Sequence, residues 1–101
     1  MNISILTPDK EIFKGAIVSV KVPGTLGQFQ VLKGHAPIVS SLGAGEVVLV
    51  TDGGAYQYYD EETGSVKEEQ QSGKTIKFNV SGGFVEVLNN EISLLIRMPK
   101  A

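Results

Sequence analysis

His35 is the only imidazole in the chain, and the sequence holds no cysteine. Nucleophilic catalysis needs a base held beside a serine or threonine by a third group. No paired carboxylate is visible for His35, so we read it as a corner histidine whose ring bonds backbone or covers a partner, not as a general base. Zinc needs clustered histidine, cysteine or carboxylate ligands, and these are missing. Asp60-Glu61-Glu62 lacks the spaced oxygens and the glycine of a calcium loop. Gly24-x-x-Gly27 is followed by no Lys-Ser or Lys-Thr and opens no helix, which excludes a phosphate loop. Tyr56, Tyr58 and Tyr59 offer stacking surface for a sugar or base; the simpler reading puts Tyr56 and Tyr58 on one sheet face and Tyr59 on the other. The residues therefore assign no catalytic site, no metal site and no cofactor. They favour a binding or structural module over an enzyme.

Any docking shape must come from Val22 to Pro37. This stretch holds Gly24, Gly27 and Gly34, two of the four prolines and the histidine, around one short β run, Phe29 to Leu32. Glycine supplies positive φ and proline fixes φ near −65°, so such punctuation builds a specific exposed shape.

The flanking elements are β throughout. Ile3 and Ile5 alternate with Asn2 and Ser4, the period of a strand buried on one side. Thr7-Pro8-Asp9-Lys10 is a turn. Glu11 to Lys14 makes a second short strand ending at Gly15. In Ala16 to Val22 the alternation points Val18, Val20 and Val22 one way and Ser19 and Lys21 the other. Phe29 and Val31 form an inward pair, and Ile38 to Leu42 continues as a strand. Glu46 to Thr51 is apolar on both faces, which predicts cover on both sides. Asp52-Gly53-Gly54 reads as a tight hairpin. Ala55 to Asp60 follows, then a polar stretch, Glu61 to Lys74, expected as a solvated hairpin tip or loop. A helix over Ser65 to Gln71 would be too short to stand alone. Ile76, Phe78 and Val80 point inward. Gly82-Gly83 bends the chain into Phe84 to Leu88, Asn89-Asn90 is a two-residue hairpin, and Ile92 to Ile96 closes the last strand. About nine to ten short strands without a convincing helix predict an all-β, two-sheet sandwich, one domain over residues 1–101.

A formal net charge of −2 argues against a nucleic-acid binder, which needs a basic face to neutralise phosphates. The longest apolar run, Val47 to Val50, is far too short to span a membrane, and the N-terminus lacks a signal-peptide pattern. No direct lipid insertion is expected; membrane association would run through a partner.

Several motifs in shared order resemble one family. They are Thr7-Pro8-Asp9-Lys10-Glu11-Ile12-Phe13-Lys14-Gly15, Val22-Pro23-Gly24-Thr25-x-Gly27-x-Phe29, Gly34-His35-Ala36-Pro37-Ile38-Val39 and Ser81-Gly82-Gly83-Phe84-Val85-Glu86-Val87. The family is the epsilon subunit of the F-type rotary ATP synthase, in its N-terminal β-sandwich domain. Leu26 stands where the family often has Glu, and Gln30 where it often has Gly. The stretch Tyr56 to Lys74 is longer and more polar than usual. Family members commonly continue into a C-terminal helical hairpin, whereas this sequence stops at Ala101.

The resemblance implies a non-catalytic central-stalk rotor subunit that joins gamma to the c-ring and couples proton flow to ATP synthesis. Its place would be peripheral, on the cytoplasmic face of the bacterial inner membrane. By position, Thr25, Leu26, Gly27 and Gln28 would face the c-subunit ring, and His35 and Ser40 would lie toward gamma. One sheet face should present an apolar patch to gamma. No nucleotide site is expected. The alternative is a free-standing β-sandwich module that binds protein or carbohydrate through the tyrosines.

Overall fold

The computed structural model describes residues 1–99; Lys100 and Ala101, where the sequence reading puts the end of the domain, lie outside the described residues. Those described contain no helix. Eight strands run in order: β1 (Asn2–Leu6), β2 (Glu11–Gly24), β3 (Gly27–Leu32), β4 (Ile38–Leu42), β5 (Gly45–Asp60), β6 (Ser65–Val80), β7 (Gly82–Leu88) and β8 (Glu91–Arg97). β4, β7, β8 and β1 form one run of paired strands, and β2, β5 and β6 another. β2 belongs to both, because its first half pairs β1 and it pairs β5 over residues 13–21; β3 pairs its second half. Among the described residues, only the β1–β8 pair is parallel. The shortest dimension, 19 Å, fits two sheets about 10 Å apart with their side chains. This is the expected β-sandwich.

The core takes residues from every strand. Ile3 and Ile5 of β1, Val20 and Val22 of β2, Val47 and Leu49 of β5, and Ile92, Leu94 and Ile96 of β8 are all buried. Each set follows the period-2 alternation of its strand. Val31 is buried and Phe29 packs beside it, as the inward pair requires. Val48 and Val50 are half-buried on the other side of β5, so the cover there is partial.

The strands are fewer and longer than their sequence signals. Glu11 to Lys14 and Ala16 to Val22 are one strand, β2, which passes through Gly15. A Cβ at Gly15 would sit 2.9 Å from the Tyr56 Cα on β5, so the close crossing there requires glycine. Asp52-Gly53-Gly54 is no hairpin. It is an irregularity inside β5, where the register against β6 shifts between Val50 and Asp52 and again between Asp52 and Ala55. The Gly54 N–H donates to Asp52 Oδ1 at 3.0 Å, an Asx-type local bond that a turn would also use. Across the pair, the buried Thr51 hydroxyl donates to the Gln71 carbonyl and accepts from the Lys74 N–H at 2.9 Å. These bonds carry the ladder over the irregularity.

The polar stretch Glu61 to Lys74 is only briefly a turn. From Ser65 it is β6, strand-paired with β5 and neither loop nor helix. It can be polar because β6 is an edge strand with much of its surface in water. In β2, the register shift between Ile17 and Ser19 reverses the expected alternation: Ser19 is buried and Val18 is half exposed. A bulge places two residues against one and sends the next side chain to the opposite face. Asn89 and Asn90 have φ of 52° and 62°, the two left-handed residues of a type I′ hairpin.

Candidate interaction surfaces

The hairpin between β2 and β3 turns at Thr25-Leu26. Leu26 projects fully into solvent. Gly27 follows at φ 133°, and Gln28 is exposed beside it. The tip is anchored to the end of β4. The Thr25 N–H donates to the Ser41 carbonyl at 3.2 Å, and the two hydroxyls lie 3.0 Å apart. The Gly43 N–H donates to the Pro23 carbonyl at 2.8 Å, and Gly24 pairs with both Gly27 and Leu42. The exposed leucine thus rides on a braced tip.

The Lys33-Gly34 turn leads into the His35 corner. The Gly34 N–H donates to Asn90 Oδ1 at 2.8 Å, which ties this corner to the β7–β8 hairpin. The His35 N–H donates to the Leu32 carbonyl at 3.1 Å. Its ring Nδ1 lies 2.7 Å from the Ala36 carbonyl, an acceptor, so Nδ1 carries the proton. The ring bonds backbone, as a corner histidine would. Ser40, half-buried on β4, donates to the Ser41 carbonyl at 3.3 Å. Ser41 therefore joins the two groups of residues: Thr25 on one side and Ser40 on the other. Nothing in the sequence singles out Ser41, because its role depends on a contact 16 residues away.

An apolar patch lies on the outer face of β4, β7 and β8. Val39 is 73% exposed, Phe84 57% and Leu95 52%. Phe84 pairs with Leu95 across β7–β8 and with Ser41 across β4–β7, so the three strands share this face. Leu88 and the carboxylate Glu86 stand on the same face of β7. A contiguous exposed apolar patch with a polar residue inside it is a docking feature. Its sequence signal is weak: β7 and β8 carry apolar residues on both faces, at Phe84-Val85, Val87-Leu88 and Leu94-Leu95.

Beside β2, the aromatic side chains settle as expected. Tyr56 and Tyr58 share one face, with ring centroids 6.2 Å apart, and Tyr59 takes the other, under Lys10. Both first-face hydroxyls donate to Glu69, at 2.8 and 3.0 Å, and Lys74 Nζ lies 3.3 Å from the same carboxylate. The Tyr56 bond, then those from Tyr58 and Lys74, hold the Glu69 carboxyl below its usual range. Burial, then the Glu69 bond, push the Tyr56 hydroxyl up.

A family model described as the ATP synthase delta/epsilon chain β-sandwich domain matches residues 1–60. An ATP synthase epsilon chain of Chlorobaculum tepidum is 38% identical over 94 residues, 93% of this chain and 85% of its own. One of Salinibacter ruber is 33% identical over 95 residues, which span 94% of this chain and 56% of that one. Several curated relatives are thus much longer than the part matched. Among solved structures, a chain of the Euglena gracilis mitochondrial ATP synthase OSCP/F1/c-ring assembly superposes with a TM-score of 0.68 at 20% identity. It covers 93% of this chain and 48% of the other. A chain of the Tetrahymena thermophila mitochondrial central stalk and c-ring gives 0.63 at 14%, covering 96% and 63%. These two likenesses show the fold.

Proposed function

Because this chain belongs to the ATP synthase delta/epsilon β-sandwich family, we propose that it is a non-catalytic rotor subunit of the central stalk. In this reading it joins gamma to the c-subunit ring and helps couple proton flow to ATP synthesis. The complex holds it peripherally at the cytoplasmic face of the bacterial inner membrane. The observation that carries the reading is the pair of surfaces meeting at Ser41. On one side is the braced tip Thr25 to Gln28 with Leu26 in solvent. On the other are the His35–Ser40 segment and the apolar outer face of β4 and β7.

A joint in a rotating shaft needs stiffness and shape fit more than reactive groups. A close-packed sandwich supplies stiffness. The outer patch supplies area for gamma, whose complementary surface needs an apolar centre and a cation for Glu86. The tip offers Thr25, Leu26, Gly27 and Gln28 to polar loops of the ring, with one apolar side chain as its anchor. Neither contact calls for a cofactor.

The test is co-purification with the cognate gamma subunit, read by size exclusion with light scattering. A stable one-to-one complex is the expected result. A chain that stays alone against its own gamma overturns the reading.

A further inference from the structure

Asp52-Gly53 is the one place in this sequence where glycine follows an aspartate or an asparagine. A side-chain carboxyl reacts with the next backbone nitrogen only if that nitrogen is uncrowded and the local chain is free to close a ring. Glycine meets the first condition, since it has no Cβ. The fold meets the second. β5 pairs with β2 at Thr51 and next at Tyr56, and with β6 at Asp52 and next at Ala55. Gly53 and Gly54 therefore have no ladder partner on either flank. The rung from Asp52 to Ser72 stands alone between two register shifts. Asp52 itself is exposed.

A hydrogen bond places the carboxyl. The Gly54 N–H donates to Asp52 Oδ1 at 3.0 Å. The ring closed by this bond encloses the Gly53 nitrogen, so the carboxyl is folded forward along the chain instead of away from it. The bond also draws electron density from the carboxyl carbon. Asp60 makes the same kind of bond, accepting from the Glu62 N–H at 3.0 Å. There, however, Glu61 crowds the intervening nitrogen, and Lys67 holds the other carboxylate oxygen at 2.8 Å.

We propose that Asp52-Gly53 is a site of spontaneous covalent modification, at which the folded chain converts aspartate to isoaspartate. The Gly53 nitrogen attacks Cγ of the neutral carboxyl. An N–Cγ bond forms, and the carboxyl hydroxyl leaves as water, taking the proton from the nitrogen. The product is a five-membered succinimide. Water then adds at one of its two carbonyls. Opening at Cγ restores aspartate. Opening at the original main-chain carbonyl breaks the old peptide bond and leaves the chain running through Cγ. Water is released once and consumed once, so the net change is an isomerisation without an oxidant or a change of mass. The new main chain is one atom longer at an irregularity that already interrupts the ladder. Beside it the Thr51 hydroxyl, bonded to the Gln71 carbonyl and the Lys74 N–H, holds β5 to β6. The isomer therefore stays folded. None of the docking residues takes part, so this inference and the rotor reading stand or fall separately.

The test is prolonged warm incubation of the purified folded chain at mildly acidic pH. Isoaspartate is read with an isoaspartyl methyltransferase and labelled S-adenosylmethionine, and electron-transfer fragmentation assigns its position. A synthetic peptide of residues 50–56 is the unfolded reference. Label at position 52, formed within about threefold of the peptide's rate, is expected for a segment that needs no local opening. An aspartate locked in a continuous ladder would lag the peptide by about tenfold or more, because opening must come first. Asp52→Glu keeps a carboxylate and should remove the label, since the ring it would close is larger. Gly53→Ala is no clean control: φ is 108°, and an added Cβ would lie 3.3 Å from the Ser72 Cβ. The isomerised chain, separated by ion exchange, should still melt cooperatively. A tenfold lag behind the peptide, label at Asp60 or the Asn89-Asn90 turn in place of position 52, label surviving Asp52→Glu, or an isomerised chain without a cooperative melt overturns the proposal.

Discussion

The Tyr56 hydroxyl donates to the Glu69 carboxylate at 2.8 Å, from a buried ring on β5 to a polar side chain on the edge strand β6. This bond pins the outer part of the β5–β6 ladder beyond the irregularity at Asp52. Tyr58 and Lys74 converge on the same carboxylate. Tyr56→Phe keeps the ring and removes the bond. We expect a loss of about 1.5–3 kcal/mol, the range for a hydrogen bond to a charged acceptor. Tyr56→Ala also empties the core position stacked on Phe13 and should cost about 3–5 kcal/mol. Urea denaturation of both variants checks the two sizes.

The same cluster sets a pH dependence. The Glu69 carboxyl lies below its ordinary 4.5, held by the Tyr56 hydroxyl first and then by Tyr58 and Lys74. The Asp60 carboxyl lies below its ordinary 3.8, chiefly through Lys67 at 2.8 Å. Between its folded and unfolded values, each group binds more protons in the unfolded chain, so stability rises with pH there. Their contribution is complete above these ordinary values and is lost as pH falls through the folded ones. At the alkaline end the sign reverses. Tyr56 and Lys74 are raised above 10.0 and 10.5, so their contribution is complete below those values and lost as pH climbs beyond them. Thermal melts across pH should show a plateau with a fall on each side. Glu69→Gln should flatten the acid fall.

Gly83 has φ 148°, and a Cβ there would lie 2.8 Å from the Ile96 Cα and against the Leu95 carbonyl. Backbone cannot yield as a flexible side chain can. Gly83→Ala should destabilise by roughly 2–4 kcal/mol through strain and a forced separation of β7 from β8. Gly43→Ala is the control, since its Cβ would meet nothing within 4 Å. The two melting curves, side by side, make the comparison.

Leu26 touches solvent alone, so Leu26→Ala should change stability by less than about 0.5 kcal/mol. Under the rotor reading it should still weaken capture of the chain, bound to gamma, by detergent-solubilised c-ring. Unchanged capture would remove Leu26 from that contact.

Phe84→Ser with Val39→Ser should leave the fold intact, since both side chains already face water. It should lower affinity for gamma by about tenfold or more, as expected when anchors at an interface centre are removed. His35→Ala should have a smaller effect, since its ring is already bonded to the Ala36 carbonyl. Surface-bound gamma and the three chains in solution would rank them.

The β character, the sandwich class and most of the core follow from residue order, because alternation within a strand sorts side chains between two faces whatever the strand pairs with. Ile3 and Ile5, Val20 and Val22, and Ile92, Leu94 and Ile96 were legible that way. So was the Asn89-Asn90 turn, whose left-handed pair follows from residue type. The tip from Thr25 to Gln28 and the His35 corner were legible as punctuation, and their braces at Ser41 and Asn90 were not. The rest depends on which strands meet. A bulge exists only against a partner strand, so the reversal of Val18 and Ser19 and the continuity of β5 through Asp52-Gly53-Gly54 could not be read locally. Whether an apolar face is covered depends on how far the opposite layer extends. That is why Phe84 and Leu95 emerge as surface, and why Ile76 and Phe78 line an open groove instead of a closed core.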